Sequence, residues 1–292
     1  MRKGLKIFLL SIAGILFLAA IGMGLFAYKA MYGFPFYEDT PPELPSNMEK
    51  FTVLHFTKTN GFRHGSAIEE STKQFEQMAK ENGWTLFTTD NGAVFNQAQL
   101  QQFDVVIWNN VTGKNLKDEQ RTAFKNYMEN GGGFLGIHGA GDFSHQWKWY
   151  EETLIGANFT HHSMNPQIQA ADMYLECDST HSFSCHNLSP KWNRSDEWYV
   201  FLNNPRDKGF KILYTVDEKT FDPNGNLGFL VTDKDFGMGD DHPIVWYKCL
   251  PNGGRTFYSA LGHDGTFFTE PQHLNLLKKG ILWAGKSQGN CQ

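Results

Sequence analysis

From Phe51 onward the chain alternates short apolar runs with longer amphipathic stretches. The runs Phe51 to Phe56, Trp84 to Thr89, Val105 to Trp108 and Gly133 to His138 read as strands. Between them, Ser66 to Asn82 and Lys117 to Asn130 read as helices, with a shorter one over Asn96 to Gln101. Ser66, three residues before Glu69, has the form of a capping box, and Gly131 closes the helix that reaches Asn130. Strand, helix and strand at this pace predict parallel βαβ units in an α/β, doubly wound, mostly parallel sheet, with ligands beyond the carboxyl ends of the strands. After Gly141 the pattern loosens into a stretch rich in His, Trp and Asn, to about Asp207. Strands over Phe210 to Val216, Gly228 to Asp233, Ile244 to Cys249 and Thr256 to Leu261 follow, then a closing helix over Pro271 to Ala284.

The amino terminus has a different pattern. Arg2, Lys3 and Lys6 precede Ile7 to Tyr28, 22 residues without a charge, enough to cross a hydrocarbon core of roughly 30 Å at about 1.5 Å per residue. The basic flank stays in the cytoplasm, which places the rest of the chain outside, periplasmic or extracellular. The exit Gly24-Leu-Phe-Ala-Tyr-Lys-Ala30 lacks a small-x-small cleavage site. An uncleaved membrane anchor is therefore expected over residues 1–29, a cleaved signal and a secreted protein being the alternative. No Cys follows the run, so a bacterial lipoprotein is excluded. Residues 30–49 hold four of the eleven prolines and no periodicity, and read as a linker. The folded body spans 50–286, with a tail over 287–292.

Twenty-five Phe, eight Trp and ten Tyr in 292 residues exclude disorder, collagen and coiled coil. Four of the 26 basic residues and none of the 31 acidic ones lie in the first 29 positions, leaving 22 basic against 31 acidic in the remainder. A body that acidic lacks the footprint of a nucleic-acid partner. Cys177 and Cys185 are spaced to close a short loop, but free buried thiols fit the spacing equally. Gly131, Gly133 and Gly136 spell GxGxxG, yet follow a helix and enter a strand, the reverse of the dinucleotide fingerprint. HExxH is absent from the sequence, and Gly280 to Ser287 (GxxxxGK[ST]) and Gly285 to Gly289 (GxSxG) fall at the end of the closing helix, not between a strand and a helix as the P-loop and the serine elbow require.

The informative segment is Gly133-Phe-Leu-Gly-Ile-His-Gly-Ala-Gly-Asp142, a strand ending in small residues where a sharp turn raises one side chain. His138 holds that position. With Gly61-Phe-Arg-His64, Asp196-Glu-Trp-Tyr199, His242-Pro-Ile-Val-Trp246, Arg255 to His263 and Gly280-Ile-Leu-Trp-Ala284, it resembles the trehalose-utilisation, or ThuA-like, family over about residues 51–285. The resemblance implies a flavodoxin-like, class I glutamine amidotransferase-like fold without the amidase Cys, and a role in glucoside and disaccharide catabolism through 3-keto sugars. One departure is His181-Ser-Phe-Ser-Cys185, where the family commonly has a His-Pro segment.

The candidate site residues follow. His138 is expected as base, Glu197 as acid and Arg63 as electrostatic stabiliser, with His263 on the same strand edge. His64, Asp142, His162, Asp196, Tyr199, His242 and Trp246 are candidates for substrate contact. Of the adjacent His161 and His162, an extended backbone directs only one into a site. No organic cofactor is called for. A divalent ion such as zinc is the alternative that His64, His138, His242 and His263, with Glu197, would suit, without a spacing signature behind it. The expected function is an exported or membrane-anchored protein acting on a glycoside or its 3-keto form as isomerase, lyase or hydrolase, and not a Cys-dependent amidotransferase. A non-catalytic carbohydrate-binding accessory protein is the other reading.

Overall fold

In the computed structural model, which describes residues 2–48, 50–177, 182–225, 234–286, 288–289 and 291, eleven strands are defined. In chain order they are β1 (Thr52–Phe56), β2 (Thr85–Thr89), β3 (Val105–Asn109), β4 (Gly133–Ile137), β5 (Phe159–His162), β6 (Gln169–Leu175), β7 (Lys191–Asp196), β8 (Tyr199–Phe201), β9 (Lys211–Val216), β10 (Pro243–Cys249) and β11 (Arg255–Ser259). The helices are α1 (Arg2–Tyr32), α2 (Gly65–Asn82), α3 (Gln97–Leu100), α4 (Asp118–Glu129), α5 (Lys148–Tyr150) and α6 (Pro271–Ala284). Nine strands form one sheet in the order β2-β1-β3-β4-β11-β10-β9-β6-β7, and β5 pairs with β8 separately. The first five are mutually parallel and the remaining pairings are antiparallel.

The parallel half is built from runs that are apolar throughout, because both of its faces are covered. β1, β3, β4 and β11 are buried at every residue. Alternate side chains serve opposite layers. Trp108 and Phe134 meet Phe124 of α4 and Tyr150 of α5, while His55 meets Phe75 of α2 on the other face. There α6 lies so close that a Cβ on Gly280 would stand 2.9 Å from Leu135 and 3.0 Å from Phe257, so a larger residue would force these side chains to shift.

Several expectations are corrected. The loosened stretch after Gly141 contains β5 to β8, irregular in pattern because two of these strands form a separate small ribbon. Ser66 does not cap α2. His64 holds the N-cap position, and the Ser66 hydroxyl donates to Asp264 at 2.6 Å, tying the helix start to the turn after β11. The proline-rich segment is not a free linker. Asn60 donates to the Phe36 carbonyl, Lys58 pairs with Glu38 at 2.5 Å, Gln120 donates to the Glu38 carbonyl and Gln99 to that of Pro42. It is a strap across the domain. The tail is also tied down, since Cys249 is bonded to Cys291 and Arg255 donates to the carbonyls of Gln288 and Gly289. Cys177 and Cys185 form the short disulfide loop. The strand expected over Gly228 to Asp233 and the departure at His181 lie outside the described residues. α1 is long and apolar enough over Lys3–Lys29 to cross a membrane and is buried nowhere, which suits an anchor or a signal. The two disulfides are compatible with an extracytoplasmic domain.

Candidate active site

The parallel strands β1, β4 and β11 end on one edge, and the residues that follow them converge there. His138 stands directly after β4 with φ +45°, a left-handed backbone uncommon outside glycine and a local strain of about 1–3 kcal/mol. The surroundings hold it in place: Tyr258 donates to its carbonyl at 2.8 Å, and its Nδ1 donates to the Ala260 carbonyl at 2.7 Å. A carbonyl only accepts, so Nδ1 carries the proton and Nε2 is directed into the site.

Nε2 of His138 lies 3.1 Å from Glu197 Oε2 and 3.2 Å from His263 Nδ1, and His263 Nδ1 lies 3.1 Å from the same carboxylate oxygen. The His64 ring stands edge-on to His138 and His263, at 4.8 and 5.0 Å between centroids, and its buried Nδ1 has no hydrogen-bond partner among the described residues. One ligand atom from each of the four residues falls within 4.8 Å of all the others. Burial alone would protonate Glu197, but hydrogen bonds from His138 and His263 outweigh it and hold the carboxyl well below its usual range. For His263, burial favours the neutral ring, and the Glu197 carboxylate overrides it to raise the pKa. His64 is kept neutral by burial and by the neighbouring imidazoles.

A supporting layer holds the four in place. Asp196, the fully buried last residue of β7, accepts from the backbone N–H of Glu197, Gly262 and His263 at 2.9, 2.9 and 3.2 Å and pairs with Arg194 at 3.0 Å. It thereby fixes both the carboxylate and the loop that carries His263. The second Glu197 oxygen meets Gln167 Nε2 and, at 3.2 Å, His162 Nδ1. Tyr199 packs its ring 4.3 Å from that of His138. His242 bridges the Tyr199 carbonyl and Glu218, each at 2.7 Å.

The structure thus brings together His64, His138, Glu197 and His263, with His162 beside them. Other expectations change. Glu197 is held ionised, the wrong state for the acid assigned to it. Arg63 is exposed on the rim and bonds Thr59 at 3.3 Å, outside the cluster. Asp196 is inaccessible to substrate because its oxygens are spent on the backbone and Arg194. Trp246 is wholly buried, donating to the Ile155 carbonyl, and is core. Tyr199 and His242 are buried supports. Asp142 accepts from the Ser144 N–H as a helix cap, and burial raises its pKa to about 7 against bonds from Ser144. His161 turns away to the Pro223 carbonyl, so one of the histidine pair serves the site as the extended backbone requires. Gln167 was missed, since a lone Gln in an aperiodic stretch gives no signal.

Residues 52–284 match the family model described as ThuA: Trehalose utilisation. The chain belongs to the ThuA family. Among solved structures, a ThuA-like protein of Bacteroides uniformis is similar at 25% identity and a TM-score of 0.65, over 85% of this chain and 98% of that one. A ThuA-like protein of Parabacteroides merdae is similar at 18% identity and a TM-score of 0.59, over 84% and 93%. No curated protein sequence matches. In this ThuA protein all four cysteines are paired in disulfides, leaving no free thiol.

Proposed function

We propose that this ThuA-family protein is a membrane-anchored, extracytoplasmic enzyme of carbohydrate catabolism that acts on a glycoside or its 3-keto form with a divalent ion, such as zinc, held by His64, His138, Glu197 and His263. Family membership supports the carbohydrate role. The observation that carries the metal is the convergence of one ligand atom from each of the four residues. With Nδ1 of His138 committed to Ala260, its Nε2 faces a carboxylate and another imidazole, and only a second proton or a cation makes that arrangement favourable. The unpartnered Nδ1 of His64 adds a further buried polar atom in want of a partner. A tetrahedral ion with bonds of about 2.0–2.1 Å holds its ligand atoms roughly 3.4 Å apart. Three pairs here stand at 3.1–3.2 Å.

Such an ion would polarise a sugar carbonyl or activate water. The chain's own residues orient and exclude. Ala260 fixes the His138 tautomer, Asp196 fixes the His263 loop, and Gln167 and His162 keep Glu197 from rotating. His263 and His162, with side chains 18% and 25% exposed, border the opening through which substrate reaches the cluster. Trp198 and Trp246 are buried, so neither supplies the sugar-stacking platform a binding protein would use. Retention of the anchor is supported by the strap, which continues from α1 onto the domain without a free segment.

The test is elemental analysis and proton NMR on the full chain in detergent, metal-loaded and metal-stripped, with glucosides, disaccharides and their 3-keto forms. About one ion per chain and turnover that disappears on stripping and in Glu197→Gln are expected. Line broadening without product refutes the enzyme reading, and full turnover by the stripped protein refutes the metal.

A further inference from the structure

The end of the anchor helix is bonded to the loop that carries a site residue. Gly33, directly after α1, is buried at φ +75°, and a Cβ there would stand 2.6 Å from the Asn60 carbonyl oxygen. Phe34 donates its N–H to that same carbonyl at 3.1 Å. Asn60 opens the segment that continues through Phe62 and Arg63 to His64. Only four residues, about 6 Å of helix rise, separate the last charge of the apolar span, Lys29, from this contact.

A chain of rings leads from the helix to the site. Tyr28 contacts Tyr32 at 5.4 Å and Phe34 at 5.6 Å; Tyr32 contacts Phe143 at 6.2 Å, Phe143 meets Phe159 at 5.9 Å, and Phe159 meets Tyr199 at 4.3 Å. Tyr199 lies against His138. Across the opening, Phe62 stands 4.9 Å from the His64 ring. Five of these side chains are open to solvent: Tyr28 at 50% within the helix, and beyond it Tyr32 at 37%, Phe143 at 39%, Phe34 at 45% and Phe62 at 46%. Aromatic residues at the end of a membrane span belong at the headgroup level, and exposed aromatic rims mark surfaces that are covered in use. The body is acidic, so attraction of basic residues to anionic lipid does not account for such a surface.

Resting on the anchor reading given above, we propose that the rim formed by Tyr32, Phe34, Phe62 and Phe143 docks on the outer leaflet of the membrane that α1 spans, so that the His64–His138–Glu197–His263 cluster opens at headgroup level. The saccharide it takes is then the polar headgroup of a glycolipid, its acyl chains remaining in the bilayer.

The test uses the full chain in lipid nanodiscs containing a phospholipid with a diazirine close to the headgroup. After irradiation, adducts are mapped by peptide mass spectrometry. Adducts at Phe34, Phe62 or Phe143, in addition to α1, are expected, and Phe62→Ser with Phe143→Ser is expected to reduce rim labelling at least fivefold without altering labelling of α1. Adducts confined to Ile7 to Tyr28 overturn the docked rim while leaving the anchor standing, and no adducts anywhere overturn the anchor as well. In the same nanodiscs, a glucosyl diacylglycerol is expected to bind at least tenfold tighter than methyl glucoside. Equal binding overturns the lipid-linked substrate.

Discussion

Asp196→Asn removes the charge at the hub of the supporting layer while nearly preserving its shape. The side chain of Arg194 is 1% exposed, and its nitrogens reach Asp196 at 3.0 Å and Glu270 at 3.6 Å as charge contacts without the alignment of hydrogen bonds. Its guanidinium lies 4.7 Å from the ring centre of Trp192 and 5.1 Å from that of Phe267. Water cannot compensate it. Removing one partner of a buried ion pair costs about 3–5 kcal/mol, and a body of this size loses about 2–4 °C of Tm per kcal/mol. The variant is therefore expected to melt about 6–20 °C lower. Arg194→Met keeps an apolar stem between the two rings and leaves Asp196 its three backbone donors, so its loss is smaller. The double variant then recovers part of the damage, with a coupling of about 1–3 kcal/mol. The assay is thermal unfolding of the full chain in detergent, disulfides intact and metal content fixed, accompanied by hydrogen exchange at Gly262 and His263. Additivity within about 0.5 kcal/mol, or unchanged exchange at those two amides, would refute the assignment of Asp196 as the group that holds the His263 loop.

Three further outcomes are expected. His242→Ala takes its bond from the Tyr199 carbonyl and one of three partners from Glu218, which keeps the backbone N–H groups of Met238 and Gly239, at a cost of about 1–3 kcal/mol, yet leaves metal content unchanged, whereas His138→Ala loses the ion; elemental analysis separates the two. Asp142, with a folded pKa of about 7 against about 3.9 unfolded, binds its proton more tightly in the folded state, so its contribution is fully present below pH 4 and is lost as pH rises through 7. Asp142→Asn keeps the cap and removes that slope, an effect on the order of 4 kcal/mol at most; parallel stability profiles of variant and parent from pH 4 to 8 would show the carboxyl to be unperturbed. By loop closure, the 42-residue separation of Cys249 and Cys291 is worth about 4 kcal/mol and the 8-residue separation of Cys177 and Cys185 about 2.5 kcal/mol. Cys249→Ser with Cys291→Ser is thus expected to lower the denaturation midpoint further than Cys177→Ser with Cys185→Ser, and the reverse order would contradict the entropic account.

The parallel half was legible because its information is local. Val105 to Trp108 is apolar at each position and the adjoining helices carry their own periodicity, so period and length were enough. His138 was legible for the same reason, since glycines beside it announce the sharp turn. The cluster was not legible as a unit. Its members, at positions 64, 138, 197 and 263, come from the ends of three strands and from a stretch whose backbone obeys no single period, so no spacing rule joins them. His242 shows the converse. Its sequence setting resembles that of the other histidines, and only the position of Glu218 and of the Tyr199 carbonyl makes it structural. Asp196 and Glu197 are adjacent, and which one meets the site depends on where β7 ends, which the sequence does not mark.

The position of β11 in the sheet sets an order of events during synthesis. β11 lies between β4 and β10, although it follows β4 by the 122 residues from 137 to 259. At about 5–20 residues per second, β4 is made some 6–24 s before its neighbour. For that interval the first four strands have nothing to close against on one side, and Glu197 and His263 have yet to be placed. A nascent chain therefore carries an open, apolar strand edge through that interval. Any cut before residue 259 leaves a remnant with at least two of the four cluster residues absent or unsupported. The four-residue cluster is complete only once residue 263 has been made, so a product terminated earlier lacks the proposed site.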